Sequence, residues 1–519
     1  MHHESATIAL WHRLYAVIGD RISGQKFSRD ETLNGAIKTR LRQYLINAMF
    51  SSIRMYSRHY PAIHGYDGDK LDKCLQPDFS IRIKGEVFKP GRNLGKEYIH
   101  FWAQWILCLL ALVNIFTAKR IRPDATGSIL YGSAENTMEQ SKQLNNAVAF
   151  LDDTPMDGVQ TSQSYVFKGS PFWKSVQPGM AIGQSPEFIF ITWCRLSVSQ
   201  RLHALALHFI GLLTAHALCL RHPFLAGFIS EFASFKIMRF LDDRGYVGGI
   251  VFSTSNAIRQ PLIARMEGKA KIHHIYYNVA PINPTLKTDP QPELAMLDDH
   301  LLGTDTGTKW VWTEADAHVY KHHYKHEHVR CCGIPSLFYT MDNIPEAASP
   351  RAYDIVIFDV TPFADSFIDS HNLTFYYGRY ETAIALVRHT LEMIMQLSSK
   401  NQTAPLRVAL KPKRRHPIRH DMRYWNDLDE LETRYAGFSV LPPEQNIFEL
   451  FHPETVFVSR PYTSPAQMAS ILGATSIYYD PTETLADMGI KRDNLFFASG
   501  RDQLQTLLEK QPCFRPTQP

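Results

Sequence analysis

Thr455-Val456-Phe457-Val458-Ser459-Arg460-Pro461-Tyr462-Thr463-Ser464-Pro465-Ala466 joins a short apolar run, a polar turn and the opening of a helix. Thr463 or Ser464 suits the helix cap, and proline suits the first helical position because its missing N–H would have no partner there. A strand that feeds directly into a helix is half of a βα unit, and the same grammar repeats on both sides. Upstream, Tyr353 to Val360 reads as a buried strand, Tyr380 to Lys400 as an amphipathic helix, Leu406 to Leu410 as a strand and Trp425 to Tyr435 as a helix. Phe438 to Leu441 is a further strand and Asn446 to Phe451 a short helix. Downstream, Ser464 to Leu472 is a helix and Ser476 to Tyr479 a strand. Short apolar strands alternating with helices predict a doubly wound, largely parallel sheet.

Before residue 353 the rhythm is looser. Gly248 to Ser253, Ile272 to Asn278, Trp310 to Thr313 and Val329 to Pro335 read as strands of another α/β layer. Residues 1–240 read as mainly helical, with helices expected over Ser141 to Asp153, Ser199 to Leu220 and Ala226 to Asp243. Thr154 to Gly183, poor in apolar residues, reads as an irregular connection. The expected organisation is therefore a helical region with a Rossmann-like domain over 1–335, a linker over 336–352, and a second Rossmann-like domain over 353–519.

With 519 residues the chain exceeds one ordinary core. A composition 45% hydrophobic and 20% charged is that of a folded protein, and a net charge of +4 gives no global case for a nucleic-acid partner. Seven cysteines without CxxC spacing fit reduced thiols. Met1 to Asp20 lacks a signal-peptide core, so a cytoplasmic protein is expected. Tyr98 to Ala118 carries no Asp, Glu, Lys or Arg and ends at Lys119 and Arg120. His100, Gln104 and Asn114 weaken a span, so an interfacial or core helix is expected, the former making the protein peripheral on the inner membrane. Leu202 to Leu220 is expected to pack inside a domain.

In doubly wound sheets the ligand lies beyond the carboxyl ends of the strands. Those ends read Asp359-Val360-Thr361-Pro362, Lys411-Pro412-Lys413-Arg414-Arg415-His416-Pro417, Ser459 to Pro465, and Tyr478-Tyr479-Asp480-Pro481-Thr482. Five cations within residues 411–419 (Lys411, Lys413, Arg414, Arg415, Arg419) can grip a pyrophosphate by charge-assisted hydrogen bonds. The helix opening at Thr463–Ser464 offers backbone N–H groups and a positive dipole end to the same phosphate. Glycine-rich dinucleotide loops, the P-loop and the nucleophile elbow are all absent from the sequence. Asp427-Leu428-Asp429 falls on an expected helix and Asp67-Gly68-Asp69 far upstream, so a metal-independent site is expected.

Pro461-Tyr462-Thr463-Ser464, followed by Tyr478-Tyr479-Asp480-Pro481-Thr482, resembles the bacterial polysaccharide-biosynthesis proteins named for a Pro-Phe-Thr-Ser motif, with Tyr462 in place of Phe. More loosely, the basic strand end and the Ser/Thr pair are similar to sialyl- and Kdo-type transferases. The resemblance implies a GT-B-like fold, α/β with two facing Rossmann-like domains and extra N-terminal helices. It also implies a nucleotide-sugar donor, CMP-linked by weak preference, and a glycan or lipid-linked acceptor. Carried onto this chain, His416, Pro417, Thr463 and Ser464 would surround the donor phosphate, with Lys411 or Arg414 as substitutes for His416. Asp359, Lys413, Tyr479 and Asp480 complete the donor-side candidates. An acceptor hydroxyl needs a base, for which the N-terminal domain offers Asp243, His274 and Glu314. Asp243 also reads as an ordinary helix end before Gly245. A non-catalytic glycan- or nucleotide-binding component and a nucleotide-sugar epimerase are the alternatives.

Overall fold

The computed structural model describes the chain except at residues 1–2, 29–30, 57–59, 64, 90–98, 100–101, 104, 107–125, 132–140, 160–163, 169–173, 178–179, 184–195, 223–224, 226–228, 253–260, 267, 277–283, 289–306, 337–340, 342–343, 371–378, 402–404, 414, 416–418, 490–491 and 515–519. It forms two compact units. One comprises Ala9–Tyr277 and Asp299–Tyr339, the other Met1–Ile8, Asn278–Asp298 and Thr340–Pro519.

The chain opens with helices α1 (His3–Ser23), α2 (Glu31–Tyr56), α3 (Tyr60–Ile63) and α4 (Gly68–Cys74), then a hairpin of β1 (Ile81–Ile83) and β2 (Glu86–Phe88). An eight-stranded sheet follows, made of β3 (Gly127–Tyr131), β4 (Ser164–Lys168), β5 (Lys174–Gln177), β6 (Met180–Gly183), β7 (Val247–Phe252), β8 (Lys271–Ile275), β9 (Thr308–Val311) and β10 (Val329–Cys331). Its order is β10-β9-β8-β7-β3-β4-β6-β5, and every pairing is parallel except β5 on β6. Around it run α5 (Ser141–Asp153), α6 (Val198–Arg221), α7 (Ile229–Asp243) and α8 (Glu314–His322). Leaving β5 aside, the parallel strands run outward in opposite directions from β3 and β7, the order reversal of a Rossmann-like sheet.

Four of these strands lie before residue 245, where helices and loops were expected. Residues 154–183, read as irregular, hold β4, β5 and β6. Each is only four or five residues long, and Ser128 at the heart of β3 is fully buried. Strands this short leave almost no periodicity to read. Gly248 and Gly249 in β7 have a packing reason: a Cβ on Gly248 would clash with the Gly158 carbonyl oxygen.

The second unit is a six-stranded, wholly parallel sheet in the order β13-β12-β11-β14-β15-β16. Its strands are β11 (Ile355–Phe358), β12 (Val408–Lys411), β13 (Phe438–Val440), β14 (Val456–Ser459), β15 (Ser476–Asp480) and β16 (Leu495–Ser499). Counted along the chain this is 3-2-1-4-5-6, with the switch between β11 and β14. The helices are α9 (Asp365–Ser370), α10 (Tyr380–Asn401), α11 (Met422–Arg434), α12 (Ser464–Ile471) and α13 (Arg501–Glu509). Every residue of β11, β12, β14 and β15 is buried, as expected for strands covered on both faces. One face packs Ile355, Ile357, Leu410, Val458 and Tyr479 against Leu386, Val387 and Ile394 of α10, and Leu428 of α11. Each such side chain contributes about 1.5–3 kcal/mol on burial. The segment beginning at Asn278 joins this unit through an antiparallel bridge of Leu286 with Leu485, with Lys287 N–H donating to Thr484 and Ala486 N–H to Thr285.

The first sheet contains neutral, buried histidines. Trp310 Nε1 can only donate, so the 3.1 Å contact makes His273 Nδ1 an acceptor; His273 Nε2 therefore carries the proton donated to the Asp157 carbonyl at 2.8 Å. His274 stacks on Phe252 and is wholly enclosed; burial first, and the cations Lys309 and Arg265 after it, hold its pKa well below the ordinary 6.5. His326 lies parallel to the Tyr320 and Tyr324 rings, and burial with Lys309 pushes it down to about 3. Unfolded, these rings take up protons near 6.5; folded, they resist until far lower pH. Between those values the unfolded state binds more protons, so stability is complete above pH 6.5 and falls as pH drops toward 3. The thermal midpoint should therefore fall between pH 7 and pH 5. His326→Phe, which keeps the stacking, should flatten part of that fall in a pH series of melting curves; an unchanged slope would remove His326 from the account.

Candidate functional site

The switch point of the second sheet lies between the carboxyl ends of β11 and β14, and the chain places Asp359 at one and Arg460 at the other. Asp359 is 5% exposed. Its Oδ1 accepts from the Lys413 backbone N–H at 2.8 Å and from the Thr361 hydroxyl at 3.5 Å, and its Oδ2 accepts from Tyr424 Oη at 2.7 Å. Burial raises its pKa, opposed by these hydrogen bonds and by the Arg460 and Lys411 charges. Burial and the neighbouring carboxylate drive the Tyr424 phenol well above 10, so it remains a donor. Asp359 thus ties the start of the basic loop to β11.

Lys411 is equally enclosed, and its ammonium donates to the carbonyls of Pro412 and Pro443 at 2.9 and 2.7 Å. Burial lowers its pKa. Its side chain therefore fastens the loops after β12 and β13, and its role at this edge is structural. Lys413, Arg415 and Arg419 are exposed and keep the rim cationic. Arg414 and His416, with Pro417, lie outside the described residues.

Across the switch point, Tyr462 is held at φ +64°, a left-handed conformation that costs a bulky residue about 1–3 kcal/mol. The Tyr462 hydroxyl secures this turn by donating to the Ala486 carbonyl at 2.7 Å and accepting from the Met488 N–H at 2.9 Å. The Thr463 hydroxyl turns back to Arg460 O and Ser459 Oγ, at 3.0 and 3.1 Å. The Thr463 side chain makes no cap hydrogen bond to α12, and Pro465 sits in the helix's first turn. The half-buried helix start at Thr463 and Ser464 thus places its dipole at the carboxyl edge of the sheet that also carries the cationic rim.

The remaining candidates are placed elsewhere. Tyr479 points from β15 into the helix-packed core, its hydroxyl 2.8 Å from His389 Nδ1. Asp480 organises the following loop, accepting from the Thr482 N–H and hydroxyl and from the Leu485 N–H. In the first unit, Asp243 ends α7 ahead of Gly245 at φ +72°, leading into the start of β7, so it lies at the amino edge of that sheet. His274 and Glu314 lie toward the carboxyl edge: His274 is enclosed in β8, and the exposed Glu314 opens α8 and accepts from Cys331 Sγ at 3.1 Å. The fold does not bring Asp243 to the edge that holds the other two.

Arg460 and Tyr424 were missed as site residues. Arg460 stands directly after a strand and before the Pro-Tyr-Thr-Ser turn, a position that could have marked it; the role of Tyr424 follows only from tertiary packing. Tyr424→Phe keeps the ring and removes the donor to Asp359, leaving a buried carboxylate oxygen without it. It should cost about 1–3 kcal/mol in urea-unfolding stability, and a loss below 0.5 kcal/mol would show that the carboxylate is not held as described.

The chain has no match among curated proteins. The family model described as "Polysaccharide biosynthesis PFTS motif protein" matches residues 209–508, a stretch that contains the whole second sheet and the Pro461–Ser464 turn. With more than half its length matched, the chain belongs to the polysaccharide-biosynthesis PFTS-motif proteins.

Proposed function

We propose that this protein is a GT-B-type glycosyltransferase that moves a sugar from a nucleotide-sugar donor to a glycan or lipid-linked acceptor in surface-polysaccharide synthesis. The observation that carries the reading is the placement, on one carboxyl edge of the second sheet, of a cationic rim (Lys413, Arg415, Arg419) and of the start of α12 at Thr463–Ser464. Charge must be neutralised on the departing phosphate as the glycosidic bond breaks, and fixed cations and helix N–H groups supply that without reorganising. Lys413 and Ser464 take the donor phosphate, Asp359 and Lys411 hold their loops, and the first unit receives the acceptor. The CMP-linked donor remains the weak preference carried by the Ser/Thr pair.

A second reading, a non-catalytic binder of nucleotide or glycan, is favoured by the enclosure of His274 and by the position of Asp243, which leave Glu314 as the one exposed base candidate at the carboxyl edge. A melting-curve screen with CMP, UDP, GDP and dTDP tests both. A ligand at about 100 times its Kd stabilises by about 2.7 kcal/mol, so one nucleotide should raise the midpoint by several degrees. Lys413→Ala and Ser464→Ala should each remove most of that rise. No shift with any nucleotide would overturn the glycosyltransferase reading of the rim and leave the non-catalytic glycan binder; a shift without sugar transfer or release would select the non-catalytic nucleotide binder.

This reading also places the protein peripherally on the cytoplasmic face of the inner membrane. The 98–118 segment falls largely outside the described residues; of those described, Ile99, Trp102 and Ile106 are exposed and Ala103 and Trp105 half-buried. Trp105 meets Phe209 of α6 at 5.6 Å. Among the described residues α6 is the one helix long and apolar enough to cross a membrane by length and composition. One side of it is buried through Ala204, Leu205, His208, Leu212 and Ala215. Its other side exposes Val198, Leu202, Ile210, Leu213 and Leu220, and the helix ends at the cationic Arg221. A helix packed on one side and apolar on the other lies along an interface instead of spanning it. Co-sedimentation with anionic-lipid vesicles should fall several-fold in Leu213→Glu with Trp102→Glu. Equal sedimentation, or a change from dimer to monomer with no lipid binding, would assign the face to something other than a bilayer.

A further inference from the structure

Residues 278–298 leave the first unit, pack in the second and return, so this stretch of chain is an excursion from one unit into the other. Its described part, 284–288, meets the chain at the carboxyl edge of the second sheet. Pro284 and Thr285 are buried, and Leu286 bridges Leu485 in the loop that follows β15. The Lys287 N–H donates to the Thr484 carbonyl at 2.8 Å. Its ammonium donates to the hydroxyl of Ser499, the last residue of β16, at 2.7 Å. The excursion is thus fastened at the ends of two neighbouring strands.

One residue carries this attachment on to the Pro461–Ser464 turn. Ala486 donates its N–H to the Thr285 carbonyl at 2.7 Å, and its own carbonyl accepts from Tyr462 Oη at 2.7 Å. The same hydroxyl accepts from the Met488 N–H at 2.9 Å. Tyr462 is the residue held at φ +64°, a conformation that persists only where the surroundings enforce it. Thr463, at the N-cap position of α12, follows it directly. A path of hydrogen bonds therefore runs from 285–287, through Ala486, to the residue that precedes the helix start.

We propose that residues 284–287 form a strap that positions the Pro461–Ser464 turn, with Tyr462 as the positioning residue that passes its hold to Thr463 and Ser464. The effect on a ligand rests on the reading of the α12 start as a phosphate site, whereas the coupling itself stands on the hydrogen bonds. The strap is continuous at both ends with the chain of the first unit. The turn is therefore built in part on chain that comes from outside the βα series of its own sheet.

Amide hydrogen exchange on the full chain, without nucleotide, tests the coupling. At the exposed Lys287, Lys287→Pro removes the N–H donor to Thr484 and Lys287→Ala only the Ser499 contact; Tyr462→Phe cuts the path at its other end. Exchange in peptides 482–489 and 462–472 should rise about two- to tenfold in Lys287→Pro and in Tyr462→Phe, and about twofold in Lys287→Ala, with α10 unchanged. The double variant Lys287→Pro with Tyr462→Phe should exchange in 462–472 no faster than Tyr462→Phe alone, because the path is already broken. A 462–472 peptide indifferent to both Lys287 variants, additive effects in the double variant, or an equal rise in α10 would each overturn the strap. The nucleotide that raises the melting midpoint should lose about half or more of that rise in Lys287→Pro. Coupled exchange with no midpoint shift from any nucleotide would overturn the phosphate reading and leave the strap standing.

Discussion

The second unit is organised around one buried carboxylate. Asp359 stands where the strand order reverses, and it connects three elements: β11, which carries it; the loop after β12, through Lys413; and α11, through Tyr424. Arg460 and Lys411 supply the opposing charge. Leaving any member of such a group without its partners is far more costly than the small net gain of forming it. The arrangement therefore acts as a constraint: it fixes where the basic loop leaves the sheet and where the Pro461–Ser464 turn begins. The exposed cations and the start of α12 depend on those two positions.

The second sheet was largely legible because strands covered on both faces are nearly continuous apolar runs between turn residues. The expected strands at 353–360, 406–410, 438–441, 455–459 and 476–479 correspond to β11 through β15. What such runs conceal is orientation. With both faces buried, nothing in Ser476-Ile477-Tyr478-Tyr479-Asp480 says which side faces α10. Tyr479, a donor-side candidate by its place after a strand, lies in the core, while its neighbour Tyr478 lines a cavity beside Phe497. The first sheet was legible only from β7 onward, since β3 to β6 are short and set among polar residues.

Charge was legible by position, and the use to which each charge is put was not. Five cations in residues 411–419 mark a basic loop in the sequence, yet Lys411 spends its ammonium on two carbonyls whereas Lys413 stays at the surface. The difference is one of strand geometry: Lys411 still belongs to β12 and is enclosed by the sheet, and Lys413 has left it. The same logic applies to Arg460, which immediately follows β14 and is drawn inward by Asp359 across the switch point.

The turn at Tyr462 shows how strain and specificity are linked. A tyrosine at φ +64° persists because the surroundings over-determine it, and its hydroxyl provides two of the restraints, to Ala486 and Met488. The family motif has phenylalanine at this place, which would keep the ring and lose both hydrogen bonds. In this chain the hydroxyl ties the motif turn to the 485–489 segment, the same segment that contributes Asp487 to the cavity beside Phe497. That segment is fixed from a second side by Asp480, through Thr482 and Leu485, and from a third by the strand-like bridge of Leu286 with Leu485. A loop held from three directions has little freedom left to lose on binding.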